Sequence, residues 1–300
     1  MPVKRLLPAC LLAMMAGCAV PDGQVASAGS AWPAAPAVTV VDAGPQPVVP
    51  AGDAVSARPA ARLPGDPGLL EASNDLYALS LQLRARADGG DVQAAWQLSR
   101  IHEYCAGHAA DPARYAQVGP PGIAGVASAR QRISQRCAGF APGDGLAREQ
   151  VLAARRQAAL AGSLAAEASL LALGRPLLDD ADYRRDLVER VLATGDAEAL
   201  YALAPAMGLR AARDPAMAGL VAGDVDAELA WRLAACRLGK DCGPGSMVMD
   251  SYCAHGGICS SREGDHLIDL VQRAPQADGK SDQATLLMQQ LLEARRLAWR

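Results

Sequence analysis

The chain is poor in aromatic residues and has no excess of positive charge. Only 4% of its 300 residues are Phe, Trp or Tyr, and a single residue is Phe. The formal net charge is −3, which argues against nucleic acid as a partner, because that interaction needs a basic surface. Beyond residue 68 no alternating run of β-branched and aromatic residues occurs, so the sequence predicts an all-α body.

Motifs of the common enzyme classes are also missing. The chain contains no G-x-S-x-G, no Walker loop and no G-x-G-x-x-G that leads from a strand into a helix. The segment HEYCAGH (102–108) fails as a zinc-protease motif, because Ala106 stands where the second His is required. With four histidines in all, general bases are few. We therefore expect no catalytic residues, no cofactor and no enzymatic activity.

The cysteines are not spaced as metal ligands or as a redox pair. Between 236 and 259 they follow a C-x5-C-x10-C-x5-C frame, whereas zinc sites usually separate paired cysteines by two to four residues. No C-x-x-C redox motif is present. This spacing favours disulfides and predicts no metal site, although a metal stays open as the alternative. The choice depends on the compartment of the protein.

The N-terminus has the pattern of an export signal. Lys4 and Arg5 precede an apolar stretch (6–15) that is too short to span a bilayer. The following residues, Met15-Ala16-Gly17-Cys18, resemble the bacterial lipobox. The resemblance implies a signal peptide at 1–17, acylation of Cys18 and, because Ala19 is not Asp, an outer-membrane location facing the periplasm. Acyl chains would anchor the protein to the membrane. The alternative is an ordinary cleaved signal with a chance cysteine.

Residues 18–68 differ from the rest in composition. They hold nine of the twenty prolines, together with repeated Ala, Val and Gly. Proline removes backbone donors and favours an extended, polyproline-like chain. We expect a disordered tether that could reach at most roughly 150 Å at about 3.1 Å per residue. Disordered filler without a tuned length is the alternative.

A repeat runs through the body of the chain. Gly is followed four residues later by Ala and eight residues later by a large apolar residue, at starts 35, 37, 33 and 28 residues apart. Glycine permits a sharp turn, a polar residue can cap the next helix, and the other two positions share one helix face. The five occurrences are Gly90-Ala94-Leu98, Gly125-Ala129-Ile133, Gly162-Ala166-Leu170, Gly195-Ala199-Leu203 and Gly223-Ala227-Trp231.

The best copy, RRQAALAGSLAAEASLLALG (155–174), resembles a Sel1-like repeat, a relative of the tetratricopeptide repeat. The resemblance covers 69–238 and implies an α-solenoid of stacked helix pairs. The copies are degenerate, since Pro120-Pro121 interrupts one and Pro205 should kink or end the helix of another. An irregular Ala-rich bundle is the alternative. Residues 239–300 are expected to form a disulfide-stapled loop that contains His255, followed by two helices that cap the stack. The alternative to the terminal cap is an amphipathic helix that binds a partner.

Export makes the cysteine count informative. Of eight cysteines, Cys10 would leave with the signal and Cys18 would carry lipid. An even remainder of six in an oxidising compartment is typical of disulfides. The repeat places two of them in adjacent helix pairs, where a disulfide between them is geometrically reasonable. The other four allow three connectivities, and we favour the one in which each cysteine pairs with its near neighbour in the sequence. The six are Cys105 and Cys137, Cys236 and Cys242, and Cys253 and Cys259.

Two aromatic residues are the candidate binding residues. Trp96 and Tyr201 each lie six residues after the Gly of their repeat, so they could line one surface, although inter-repeat packing is the simpler interpretation. We expect a lipid-anchored scaffold that binds an envelope protein. A periplasmic hydrolase of cell-wall or β-lactam substrates and a passive structural lipoprotein are the alternatives.

Overall fold

All regular secondary-structure elements among the described residues are helices, as the sequence predicted. The computed structural model describes residues 67–117, 125–144, 146–262, 264–273 and 281–298. Within these ranges no β-strand occurs and no helix is both long and apolar enough to cross a membrane. The predicted signal peptide, Cys18 and the predicted tether up to residue 66 lie outside the described residues.

Thirteen α-helices and three short 3-10 segments make up this part of the chain. The 3-10 segments are Pro142–Asp144, Leu209–Arg213 and Pro215–Met217. The α-helices are α1 Pro67–Ala72, α2 Leu76–Asp88, α3 Val92–Ala110, α4 Pro112–Tyr115, α5 Val126–Arg136, α6 Arg148–Leu160, α7 Leu164–Ala172, α8 Ala181–Thr194, α9 Ala197–Met207, α10 Val225–Arg237, α11 Met247–Gly256, α12 Leu267–Arg273 and α13 Ser281–Ala298.

The five glycines of the repeat all have the left-handed backbone that glycine accommodates most readily, with φ between 62° and 110°. A helix begins within two residues of each glycine. The side chains of Asp91, Ser163, Asp196 and Asp224 cap four of these helices and accept a hydrogen bond from the backbone N–H of the repeat alanine. All five alanines and all five large apolar residues are buried. The predicted local structure of the repeat is therefore confirmed.

Proline at position 205 does not end its helix at once. The helix α9 continues to Met207, two residues further on. Pro205 lacks the N–H that the carbonyl of Tyr201 would otherwise accept, which weakens the helix at this point. The expected termination is thus displaced by half a turn.

Apolar side chains form two cores. One core surrounds Leu76, Ile101 and Ile133 and includes the first cysteine pair. The other surrounds Leu203 and Trp231. The helix α3 contributes to both, because Ile101 and Trp96 lie on different faces of it.

The expected loop at 239–260 contains a helix, which corrects the sequence-based prediction. Ser246 caps α11, and the side chains of Met247 and Val248 are buried in the first and the second core respectively. The short helix thus lies between the two cores, and these two adjacent apolar side chains pack into different ones. His255, predicted in a loop, lies in the last turn of α11 and is exposed.

This helix also departs from the linear order of a solenoid, in which each repeat contacts only its neighbours. It packs against α5, from which more than 110 residues separate it, and Arg132 of α5 pairs with Asp250 of α11. Helices α6 and α7, like α9 and α10, do pack in sequence order. At the C-terminus, α13 packs against α8 and α10, where a capping helix was predicted.

Candidate functional site

The two candidate aromatic residues, Trp96 and Tyr201, line the same cavity. Their positions follow from the caps, since Asp91 starts α3 and Asp196 starts α9, and each aromatic residue lies five positions after its cap. The cavity has a volume of about 360 Å3. We call it the Trp96–Tyr201 cavity, and its main polar and aromatic lining comprises Trp96, Tyr104, Tyr201, Arg100, Arg155 and Arg232.

Each arginine of the lining is held by a carboxylate. Arg100 donates to Glu198, which projects from the first turn of α9. Arg155 of α6 donates to Glu103 of α3, one turn beyond Arg100. Arg232 of α10 donates to Glu228 at 2.6 Å and to the hydroxyl of Tyr201 at 3.2 Å. These bonds orient the guanidinium groups within the cavity wall.

Two of these guanidinium groups lie against the ring of Trp96. The Cζ atom of Arg100 is 5.9 Å from the ring centroid, and that of Arg155 is 5.5 Å from it. Cations at these distances are attracted by the negative face of the ring. Trp96 therefore belongs to the second core and at the same time orients the charged wall of the cavity.

A buried ionic network extends from Glu198, which lines the cavity. Lys240, with only 2% of its side chain exposed, donates to Glu198 at 2.8 Å and to Glu71 at 3.4 Å. Glu71 also accepts the backbone N–H of Met247 at 2.9 Å, which ties α1 to α11. Burial by itself would raise the pKa of Glu198, but the charges of Arg100 and Lys240 outweigh it and lower that pKa to about 2.

A second buried carboxylate lies next to Tyr104, which lines the cavity. Asp250 of α11, whose side chain is 1% exposed, accepts from Arg132 at 2.8 Å and from the hydroxyl of Tyr104 at 3.3 Å. Burial raises the pKa of Asp250 above its usual value in spite of Arg132. The same burial raises the pKa of Tyr104, so its phenol stays protonated and donates to the carboxylate.

The six cysteines assigned to disulfides form three pairs at disulfide distance, in the pairing that the sequence favoured. The sulfur atoms are 2.03 Å apart for Cys105–Cys137, 1.98 Å for Cys236–Cys242 and 1.95 Å for Cys253–Cys259. The first pair joins α3 to the end of α5, the second joins α10 to the segment after it, and the third closes the end of α11. Together they brace three helices that line the cavity.

Sequence reasoning missed the charged lining of the cavity. Arg100 follows Trp96 by one helical turn, which is a local signal for an aromatic–guanidinium pair. Arg155, Arg232 and Glu198 reach the cavity from three other helices, so no local spacing connects them to Trp96.

Two of the histidines that could have indicated chemistry, His102 and His266, lie outside this cavity. His102 is buried edge-on against Phe140, and burial together with Arg84 lowers its pKa to about 4. His266 lines a different cavity, and His255 lies at the rim of the Trp96–Tyr201 cavity, 3.5 Å from the hydroxyl of Tyr115. In the part of the chain that the structure describes, no group of three or more His, Cys, Asp or Glu side chains could hold a metal ion.

These features give the cavity a charged and aromatic lining whose arginines are each bonded to a carboxylate. Comparison of the chain with protein-family models, with curated proteins and with solved structures gave no match.

Proposed function

We propose that this protein is a lipid-anchored scaffold of the bacterial outer membrane whose helical body binds a segment of another envelope protein. The observation that carries the proposal is the meeting of Trp96 and Tyr201, from two different repeats, in one cavity with three arginines. Trp, Tyr and Arg are the residue types that most often dominate the energy of protein interfaces. The cavity volume of about 360 Å3 suits a few side chains of a polypeptide.

The proposed location is supported by the N-terminal sequence and by the cysteine pairs. The lipobox-like residues 15–18 precede a proline-rich segment, as expected if an acylated Cys18 is followed by a tether. Three pairs at disulfide distance suit an oxidising compartment such as the periplasm. The local structure of the five glycine turns supports a body of degenerate Sel1-like helix pairs, with α11 returning to α5 as an irregular addition.

A site-specific photocrosslink tests this function in the native envelope. The full chain carries p-benzoylphenylalanine in place of Ser251, which lines the cavity, or in place of Leu286, which is exposed on α13. We expect one dominant protein adduct from position 251 and none of that protein from position 286. Mass spectrometry identifies the adduct and the lipid on Cys18.

A cavity-filling variant provides the matched control. Ala202 lines the cavity and is partly exposed, so Ala202→Trp adds an aromatic ring to the space that the partner would occupy. The adduct should weaken strongly in this variant while its melting temperature stays near that of the wild type. Equal adducts from both crosslinking positions, or none from position 251 at native expression, would contradict the proposal.

The two alternatives receive no specific support from the geometry. A hydrolase would need a nucleophile beside a general base such as His102 or His266. Within the described residues no hydrogen bond joins either imidazole to a serine or threonine hydroxyl. A passive structural lipoprotein gives no reason for a cavity lined by paired arginines and aromatic rings.

A further inference from the structure

The three arginines of the cavity differ in how firmly they are held. The partner of Arg100 is Glu198, which is itself held by the buried Lys240 and is only 18% exposed. Arg232 is bonded both to Glu228 and to the hydroxyl of Tyr201. If a ligand replaced Glu198 at Arg100 or Glu228 at Arg232, the other hydrogen bonds of these groups would also be disturbed. These two guanidinium groups therefore act as fixed parts of the wall.

Arg155 is the exception. Its side chain is 3% exposed, and its bond is to Glu103, whose side chain is 54% exposed to solvent. No hydrogen-bond acceptor for Arg155 Nε occurs among the described residues. A buried guanidinium with one half-exposed partner and an unused donor can exchange that partner at a low cost.

A second, smaller cavity lies on the other side of this ion pair. Its volume is about 170 Å3, and Glu103, Arg155 and Leu173 line both cavities. The rest of its lining is largely apolar and includes Leu146, Val151 and Leu152. The Arg155–Glu103 pair thus stands between a charged aromatic cavity and an apolar one that can take one aliphatic side chain.

The lining of the two cavities favours an anion. Four arginines and two glutamates line them, and Glu228 holds one of these arginines, Arg232, from outside the lining. The net charge of these seven groups is +1, whereas the whole chain carries −3. An occupant with a carboxylate next to an aliphatic group would match both the charge and the apolar space.

We propose that Arg155 binds an acidic side chain of the partner segment and that Glu103 occupies Arg155 while the site is free. On binding, the incoming carboxylate displaces the carboxylate of Glu103 into solvent, and a neighbouring aliphatic side chain enters the smaller cavity. This inference deepens the proposed protein-binding function and rests on it for the identity of the occupant as a polypeptide.

The test compares an anionic and a neutral aromatic probe on the purified full chain. The probes are 8-anilinonaphthalene-1-sulfonate and N-phenyl-1-naphthylamine, which share the ring system and differ in the sulfonate. Glu103→Gln removes the internal competitor, a half-exposed carboxylate, and should lower the Kd of the anionic probe by about 2- to 5-fold without changing that of the neutral probe. Arg155→Met should abolish the preference for the anion.

Glu189→Gln is the matched control, because Glu189 has a similar exposure of 58%, pairs with Arg185 on α8 and lines neither cavity. It should leave both Kd values unchanged. The peptide acetyl-Leu-Glu-Leu-amide should displace the anionic probe at lower concentration than acetyl-Leu-Gln-Leu-amide. Thermal melts check that each variant is folded.

The results separate this inference from the proposed function. An unchanged or weaker affinity of Glu103→Gln for the anionic probe, or equal displacement by the two peptides, would overturn the role of Arg155 even if a partner is crosslinked. Anion selectivity that follows Arg155 without any crosslinked protein would support the site and refute the protein-binding function.

Discussion

The buried carboxylate of Glu198 gives the most demanding test of the structure. Substitution by glutamine keeps the size and most of the polar atoms but removes the charge that Arg100 and Lys240 share. Both cations then remain buried without the negative charge that balances them. Removing one partner of a buried ion pair in this way is costly. We therefore expect Glu198→Gln to destabilise the protein by much more than an exposed substitution would.

The magnitude follows from the pKa. A fall from the usual 4.5 to about 2 corresponds to roughly 3 kcal/mol of stability at neutral pH, to order of magnitude. Because the pKa is lowered in the folded state, this contribution is complete above pH 4.5 and is lost as the pH falls from 4.5 to 2. The difference between wild type and Glu198→Gln should be constant above about pH 5 and should fall to about half by pH 3.

Urea unfolding followed by far-UV circular dichroism at pH 7, 5, 4 and 3 measures both quantities. Glu189→Gln again serves as the control, since its exposed i,i+4 pair with Arg185 should contribute only about 0.3–0.5 kcal/mol. A loss below about 1 kcal/mol for Glu198→Gln, or a difference that does not change with pH, would show that the network does not stabilise the fold as described.

The remaining predictions concern the cysteine pairs, the glycine turns and a buried imidazole. Cys105→Ser should lower the free energy of unfolding by about 3.5 kcal/mol, given its partner 32 residues away; a reductant should then have less effect on the melting temperature of the variant than on that of the wild type. Gly162→Ala should cost about 1–2 kcal/mol in denaturant titrations through backbone strain alone, because φ is +100° and no atom lies within 4 Å of the new Cβ; the equally open Gly143→Ala has no such φ and should be near neutral. His102 should stay neutral down to about pH 4 in an NMR titration. Because its pKa is lowered from 6.5 in the folded state, the unfolded state binds the proton first, and the folded protein loses stability as the pH falls from 6.5 towards 4. An imidazole that is half protonated near pH 6.5 would refute its burial.

Local sequence features predicted the local structure well, because they act within one helical turn. The glycine followed by Asp or Ser predicted a turn and a cap, and Asp91, Asp196 and Asp224 cap their helices in the structure. The close spacing of Cys236 and Cys242 predicted a local pair, since a short loop leaves few other partners.

Helix α11 could not be predicted in the same way. Its stability depends on two cores that reach it from distant parts of the chain, so Met247 and Val248 are both buried although they are neighbours. The loop prediction for 239–260 was wrong because it counted apolar residues and not the surfaces that would cover them.

The sequence by itself determined that this body is helical, where five of its helices begin, and that Trp96 and Tyr201 occupy equivalent positions in two repeats. Those properties depend on hydrogen bonds and steric contacts between residues a few positions apart. Only the tertiary structure decided that Arg155, Arg232 and Glu198 meet these aromatic rings in one cavity. The physical reason is that the separate helices must cross at particular angles to fill their shared cores, and this packing sets which charged side chains face each other.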